Sequence, residues 1–179
     1  MIRAQDITPQ AKQQRGETQM IAPGDRIPEA TFNVMTAEGP SEISADEVFS
    51  GKKVVLFAVP GAYTPTCHMK HLPGFLQHAD AFKNKGIDTV ACTAVNDPFV
   101  LDHWAKATGA EGKIMFLADG NASFAKAIGA DLDASAVGLG TRSKRYAMLV
   151  EDGVVKSVHV EDAPTEVTTS SAETLLQEV

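Results

Sequence analysis

Cys67 stands in the stretch VVLFAVPGAYTPTCHMKHLPGF, which runs from Val54 to Phe75 and places Pro60, Thr64 and Pro65 ahead of the cysteine and His68 and His71 behind it. A cysteine kept for packing needs no such surroundings. Thr64 has the place of a helix N-cap, Pro65 that of the first helical residue, and Cys67 then falls in the first turn. There, unpaired backbone N–H groups and the positive end of the helix dipole favour thiolate over thiol, and the thiolate is the nucleophile. The plainer alternative is that Cys67 is a small core hydrophobe, the commonest fate of a free cysteine. The proline-rich lead-in, the threonine and the position at the carboxyl end of a central strand, where open α/β folds put their sites, argue for reactivity instead.

The same turn offers other chemistry. Cys67, His68 and His71 share a helix face that could hold a metal, but no neighbouring carboxylate orients the imidazoles, and no metal is expected. His71 could instead serve as base for a cysteine hydrolase acting on esters or amides. Cys92 is the other of two cysteines in the chain; it lies between Ala91 and Thr93 in a strand-like run and reads as a buried small hydrophobe. Two cysteines supply neither a disulfide framework nor a closed zinc site. His78, His103 and His159 read as surface or interface residues, and Trp104 as a core residue on a helix.

The elements that must position Cys67 follow from period and punctuation. Residues 1–20 lack the apolar stretch of a secretory signal and are expected to be a disordered tail or leader, with one folded domain over residues 21–179. A first strand is expected over about residues 30–34, then a short helix capped by Ser44, with Glu47 in capping-box position and Gly51 as its stop. KVVLFAV is a continuous apolar run of strand length, as for a central strand covered on both faces. A helix is expected from Pro65 to about Lys85, with Leu72, Phe75, Leu76, Ala79 and Phe82 on one face, a bend at Pro73 and a stop at Gly86. IDTVACTAV and KIMFLAD are further buried strands. Asn96 and Asp97 ahead of Pro98 announce a helix between them, and NASFAKAIGA is a short helix closed by Gly129. SKRYAMLVEDGVVKSVHVE forms a hairpin about Asp152-Gly153, and SSAETLLQEV a last helix with Ser170 and Glu173 in capping-box register. The Gly-Leu-Gly run at 138–140 is the expected mobile loop. This order points to an α/β protein, a three-layer α/β/α sandwich on a mixed central sheet.

Composition narrows the partners. A formal net charge of −7 repels a phosphate backbone, so nucleic acid is excluded as the main partner. The longest apolar run, Val54 to Pro60, is far too short to span a bilayer, so no membrane partner is expected. Few cysteines and no export signal make a reducing cytoplasm the expected setting.

PGAYTPTC matches the Pro-x-x-x-Thr-x-x-Cys signature of peroxiredoxins, and the longer stretches PGAYTPTCHMKHLPGF, VACTAVNDPFV and SKRYAMLVEDGVVK resemble the atypical, type II subgroup. The resemblance spans about residues 21–179. It implies a thioredoxin fold and a thiol peroxidase that reduces hydrogen peroxide and organic hydroperoxides through a cysteine sulfenic acid. By resemblance Cys67 is the peroxidatic cysteine, Thr64 bonds its sulfur and the peroxide, Pro60 shields the site from water, and Arg145 completes the pocket. Arg142 is the competing arginine, otherwise a solvated loop charge. Arg145 is preferred because it opens a strand that can aim it.

His68 departs from the serine that many relatives carry. No resolving cysteine is evident, since none follows Cys92, so the reductant is expected to be external: glutathione with glutaredoxin first, thioredoxin second. No metal or flavin cofactor is implied, and a homodimer is expected. The rival readings are a cysteine hydrolase and a thioredoxin-like binding module with inert Cys67.

Overall fold

The computed structural model describes residues 19–179. The expected tail therefore lies outside the described residues, apart from Gln19 and Met20. Met20 packs partly buried against the core, and the backbone of Gln19 passes so near Gly129 that a Cβ there would sit 2.1 Å from its carbonyl oxygen. Gly129 also has φ +74°, so this crossing admits glycine for two independent reasons.

Among the described residues one seven-stranded sheet runs in the order β2-β1-β5-β4-β3-β8-β9. Its strands are β1 (Thr31–Thr36), β2 (Gly39–Ser44), β3 (Lys53–Ala58), β4 (Thr89–Ala94), β5 (Met115–Ala118), β8 (Tyr146–Glu151) and β9 (Val154–Val160). A separate pair, β6 (Asp131–Asp133) and β7 (Thr141–Ser143), is antiparallel. The central strands β3, β4 and β5 are parallel, and the flanking pairings are antiparallel, so the sheet is mixed as expected.

The alternation along β3 divides the core. Val55, Phe57 and Val59 face a cluster with α2 (Leu72–Asn84), α3 (Pro98–Thr108) and α5 (Ala172–Leu176), while Val54, Leu56 and Ala58 face a second cluster with α1 (Ala45–Phe49) and α4 (Ser123–Ala127). These are the two outer layers of the sandwich. Phe57 stacks on Phe75 with ring centroids 4.1 Å apart, tying the central strand to α2. Truncating either ring to alanine removes about 3–5 kcal/mol of stability.

Local signals and structure agree at several ends. Ser44 and Glu47 form the capping box on α1, and the Asp97 carboxylate accepts the Val100 N–H at 2.8 Å. Asp152 and Gly153 both have positive φ, 48° and 76°, as a two-residue hairpin turn with matching twist requires.

The structure adds strands that the sequence does not announce and moves one cap. Strand β2 is not announced by the sequence, because it is an exposed edge with Pro40 and Glu42, which carries no apolar alternation and tolerates a proline. β6 and β7 are short polar strands missed for the same reason. The cap of α5 is Ser171, whose hydroxyl accepts the Thr174 N–H at 3.2 Å, and not Ser170. The 138–140 loop is tied at Leu139, whose carbonyl accepts from Arg142 Nε at 2.9 Å.

Candidate active site

The chain leaves β3 at Ala58 and enters the turn that carries Pro60 to Thr64. Ala62 donates its N–H to the Asn96 side chain at 3.0 Å, and Tyr63 takes a left-handed φ of 64°, which reverses the chain toward the helix. Gly61 is pressed against this turn: a Cβ there would meet Thr64 Cγ2 at 3.2 Å and Arg142 Nη1 at 3.3 Å. Pro60 is buried beside it.

Thr64 stands at the helix start, since its carbonyl accepts the His68 N–H at 2.9 Å. Its hydroxyl, however, donates to Gly61 O at 2.7 Å and does not accept from the first turn. The side-chain cap read from the sequence is thus replaced by a bond that closes the loop on itself. Residues 65–66 are helical, Cys67–His71 form a wide π turn, and α2 continues from there. Leu72 donates its N–H to Cys67 O, five residues back. Pro73 has no N–H to offer Met69, so the bend expected there takes the form of a wider turn just ahead of it.

Cys67 is fully buried in the helix-side core cluster. Arg145, immediately before β8 and itself 2% exposed, donates from Nη2 to Cys67 Sγ at 2.9 Å. The other faces of the guanidinium are also occupied. Nε and Nη2 donate to Pro164 O at 3.2 and 3.0 Å, and Nη1 donates to His71 Nδ1 at 2.9 Å. His71 in turn donates from Nε2 to Ser170 O at 2.9 Å. A carbonyl only accepts, so the His71 proton sits on Nε2 and Nδ1 is left to receive the arginine. Burial first, then the Arg145 cation, push the His71 pKa down to about 3. His71 is therefore a neutral brace for Arg145. With both nitrogens engaged it has no lone pair free for a metal and is a poor base for a hydrolase.

Among the described residues Arg142 makes no hydrogen bond to the sulfur. It donates from Nη1 to Val95 O at 3.1 Å and from Nε to Leu139 O, cross-tying loops around Gly61, which makes it a structural tie and not the solvated charge of the sequence reading. His68 Nδ1 accepts the Trp104 indole N–H at 2.9 Å, and its ring stacks on Tyr63 at 5.7 Å. The residue that departs from serine thus satisfies the one polar atom of a fully buried tryptophan. His78 lies 3.4 Å from Glu173, His159 pairs with Glu178, and His103 is exposed.

Cys92, on β4, shares Cys67's core cluster and is equally buried. Among the described residues its thiol reaches only Thr93 O at 4.0 Å, and burial, followed by the nearby Cys67 charge, pushes its pKa well up. It remains a thiol where Cys67 faces a cation.

The structure brings Pro60, Thr64, Cys67 and Arg145 to one end of the sheet. The sequence reading missed Asn96 as a loop anchor, Pro164 and Ser170 as carbonyl acceptors, and His71 as a partner of the arginine. Only His71 left a signal, its place on the Cys67 helix face.

The model of the Redoxin family matches residues 22–176. Peroxiredoxin-2E, chloroplastic, of Arabidopsis thaliana is 43% identical over 164 residues, covering 89% of this chain and 70% of that protein. Peroxiredoxin-2B of the same plant is 42% identical over 158 residues, covering 88% and 97%. A crystal structure of reduced Prx3 in complex with hydrogen peroxide from Vibrio vulnificus superposes with a TM-score of 0.84 at 49% identity, covering 89% of this chain and 99% of that one. The chain belongs to the Redoxin family, as a thioredoxin-fold peroxiredoxin of the type II group and so a thiol peroxidase.

Proposed function

We propose that Cys67 is the peroxidatic nucleophile, with Arg145, Thr64 and Pro60 completing its site. The observation that carries this reading is the buried guanidinium held 2.9 Å from Cys67 Sγ. Among the described residues no carboxylate pairs with Arg145, so its charge is left to serve the Cys67 sulfur. The thiolate attacks one peroxide oxygen, the O–O bond breaks, and the departing oxygen takes a proton to leave as water or an alcohol. Sulfur keeps the other oxygen as sulfenic acid. Charge spreads over sulfur and both oxygens along this path; Nη2 serves the sulfur, and the second N–H of Nη1, beside the one given to His71, is left to serve a peroxide oxygen. Thr64, its proton held by Gly61 O, keeps oxygen lone pairs free to accept a hydrogen bond from the peroxide, and Pro60 excludes water beside it.

Recycling falls to an external thiol. A first thiol condenses with the sulfenic acid to a mixed disulfide and water, and a second releases Cys67 as thiol. Glutathione with glutaredoxin is the first candidate and thioredoxin the second, in a compartment such as the cytoplasm where thiols stay reduced. Cys92 is a poor resolving group, because burial holds it as a thiol. No metal or flavin enters this cycle. A homodimer through loops around the site fits the exposure of Tyr63, Met69, Phe99 and Leu139 on segments that adjoin the Cys67 turn.

Stopped-flow mixing of reduced protein with hydrogen peroxide, followed by mass measurement of Cys67, tests this reading. A rate no faster than that of free thiols contradicts it. Thr64→Val is expected to slow the reaction by more than the roughly 0.5–1.5 kcal/mol its hydroxyl bond contributes to stability, with Thr64→Ser restoring most of the rate.

A further inference from the structure

The cation at Cys67 is aimed by a segment that carries none of the motif. Among the described residues, every side-chain hydrogen bond of Arg145 besides the one to sulfur leads to residues 164–170: Pro164 O accepts from it twice, and His71, which accepts from it once, is fixed by Ser170 O. These are carbonyls of an irregular stretch between β9 and α5, and something must hold that stretch in place. Glu161 closes it at both ends. Its backbone N–H donates to the carbonyl of Arg145 itself at 3.0 Å. Its Oε1 accepts the Thr168 N–H at 2.6 Å and the Ser170 N–H and hydroxyl, both at 2.8 Å, while Oε2 accepts the Thr168 hydroxyl at 3.1 Å. Ser170, read from the sequence as a helix cap, is spent here instead.

We infer that Glu161 is a positioning residue for the peroxidase reaction: its carboxylate folds the 161–170 arc so that Pro164 O and Ser170 O set Arg145 and His71 against Cys67. The carboxyl group is buried and meets no cation among the described residues. Burial pushes its pKa up, but the Ser170 and Thr168 donors outweigh that and leave it below the usual carboxylate range. It is therefore an acceptor on both oxygens, as its four donors require. The inference rests on the proposed roles of Cys67 and Arg145 and adds what keeps them in register.

Two substitutions separate reach from charge. Glu161→Gln keeps the reach: its oxygen serves the three donors at Oε1, and its amide donates to the Thr168 hydroxyl. Glu161→Asp keeps the charge but is one methylene too short to hold residues 168 and 170 together. On the full chain, the second-order rate of Cys67 with hydrogen peroxide is measured by stopped flow, beside a melting curve, with wild type and Cys67→Ser in the same series. The glutamine variant is expected to react within about threefold of wild type, and the aspartate variant about tenfold or more slowly while still melting cooperatively, the loss of one or two charge-assisted bonds. An aspartate variant that is destabilised yet reacts at the wild-type rate makes Glu161 structural only and overturns the inference. A glutamine variant as slow as the aspartate one overturns it too, since keeping the reach would then not keep Arg145 in register with Cys67. Wild-type protein no faster than free cysteine would instead remove the Cys67 reading, and the inference with it.

Discussion

Cys67 and Cys92 occupy the same apolar cluster, both with no solvent exposure, yet they meet different surroundings. Cys92 lies in the middle of β4 among side chains that offer its sulfur nothing but a distant carbonyl, and burial keeps it a thiol. Cys67 lies where a strand ends and a helix begins, with a buried guanidinium directed at its sulfur. Burial is common to both, so burial does not decide reactivity. On the proposed role of Cys67, what decides it is whether the fold spends a buried cation, with its own three braces, on that sulfur.

The comparison breaks most completely if the sulfur itself is exchanged. Cys67→Ser is expected to abolish peroxide consumption, because a hydroxyl does not ionise usefully at neutral pH, with the circular dichroism and melting curve of a folded protein retained. Residual turnover above a trace would move the nucleophile elsewhere.

Arg145→Lys keeps the charge but loses the fork that reaches Cys67, His71 and Pro164 together. The peroxide rate is expected to fall roughly ten- to hundredfold, the worth of one hydrogen bond to a charged group. Arg142→Lys, which disturbs only loop carbonyls, should fall by much less, and the opposite ranking would reverse the assignment of the two arginines.

A smaller effect appears in stability. Folded His71 stays neutral down to about pH 3, whereas the unfolded chain protonates it near the ordinary value of 6.5. The unfolded state then binds more protons between those values, so this contribution is full above 6.5 and is lost as pH falls toward 3. Glu161, whose carboxyl lies below its ordinary 4.5, adds a loss only under that value. Between pH 6.5 and 4.5, His71→Asn should therefore flatten the fall of the melting temperature. Parallel slopes for variant and wild type would show that His71 titrates normally.

The smallest functional effect belongs to the second cysteine. Cys92→Ser is expected to keep the peroxide rate and the turnover with glutathione and glutaredoxin within about twofold, while the buried hydroxyl costs roughly 1–3 kcal/mol of stability in chemical denaturation. A large loss of turnover with intact first-step chemistry would make Cys92 the resolving thiol.

How much of this could be read from the sequence depends on where the information is stored. The buried strands and the Asp152-Gly153 turn declare themselves by apolar runs and turn chemistry; Cys67 is marked by its place in a proline-led first turn, and the roles of Pro60, Thr64 and Arg145 come from the family resemblance. Strand β2 does not, because an exposed polar edge has no period. Thr64 shows the limit at one residue: its place at the helix start follows from Pro65, but whether its hydroxyl meets the first turn or Gly61 O is settled by the loop's path. Pro164 and Ser170 act through backbone carbonyls, which leave no mark on side-chain identity. Ser170 even carries a misleading one, since the capping pattern it begins is completed by Ser171.

The most direct measurement adds one equivalent of hydrogen peroxide to reduced protein, quenches on the millisecond-to-second scale with a sulfenic-acid trap, and maps both cysteine peptides by mass. Trapped sulfenic acid on Cys67, growing at the stopped-flow rate while Cys92 stays a free thiol, is the expected result. Oxidation appearing first on Cys92, or equally on both, would contradict the claim that the Arg145 contact and not burial selects the reactive sulfur.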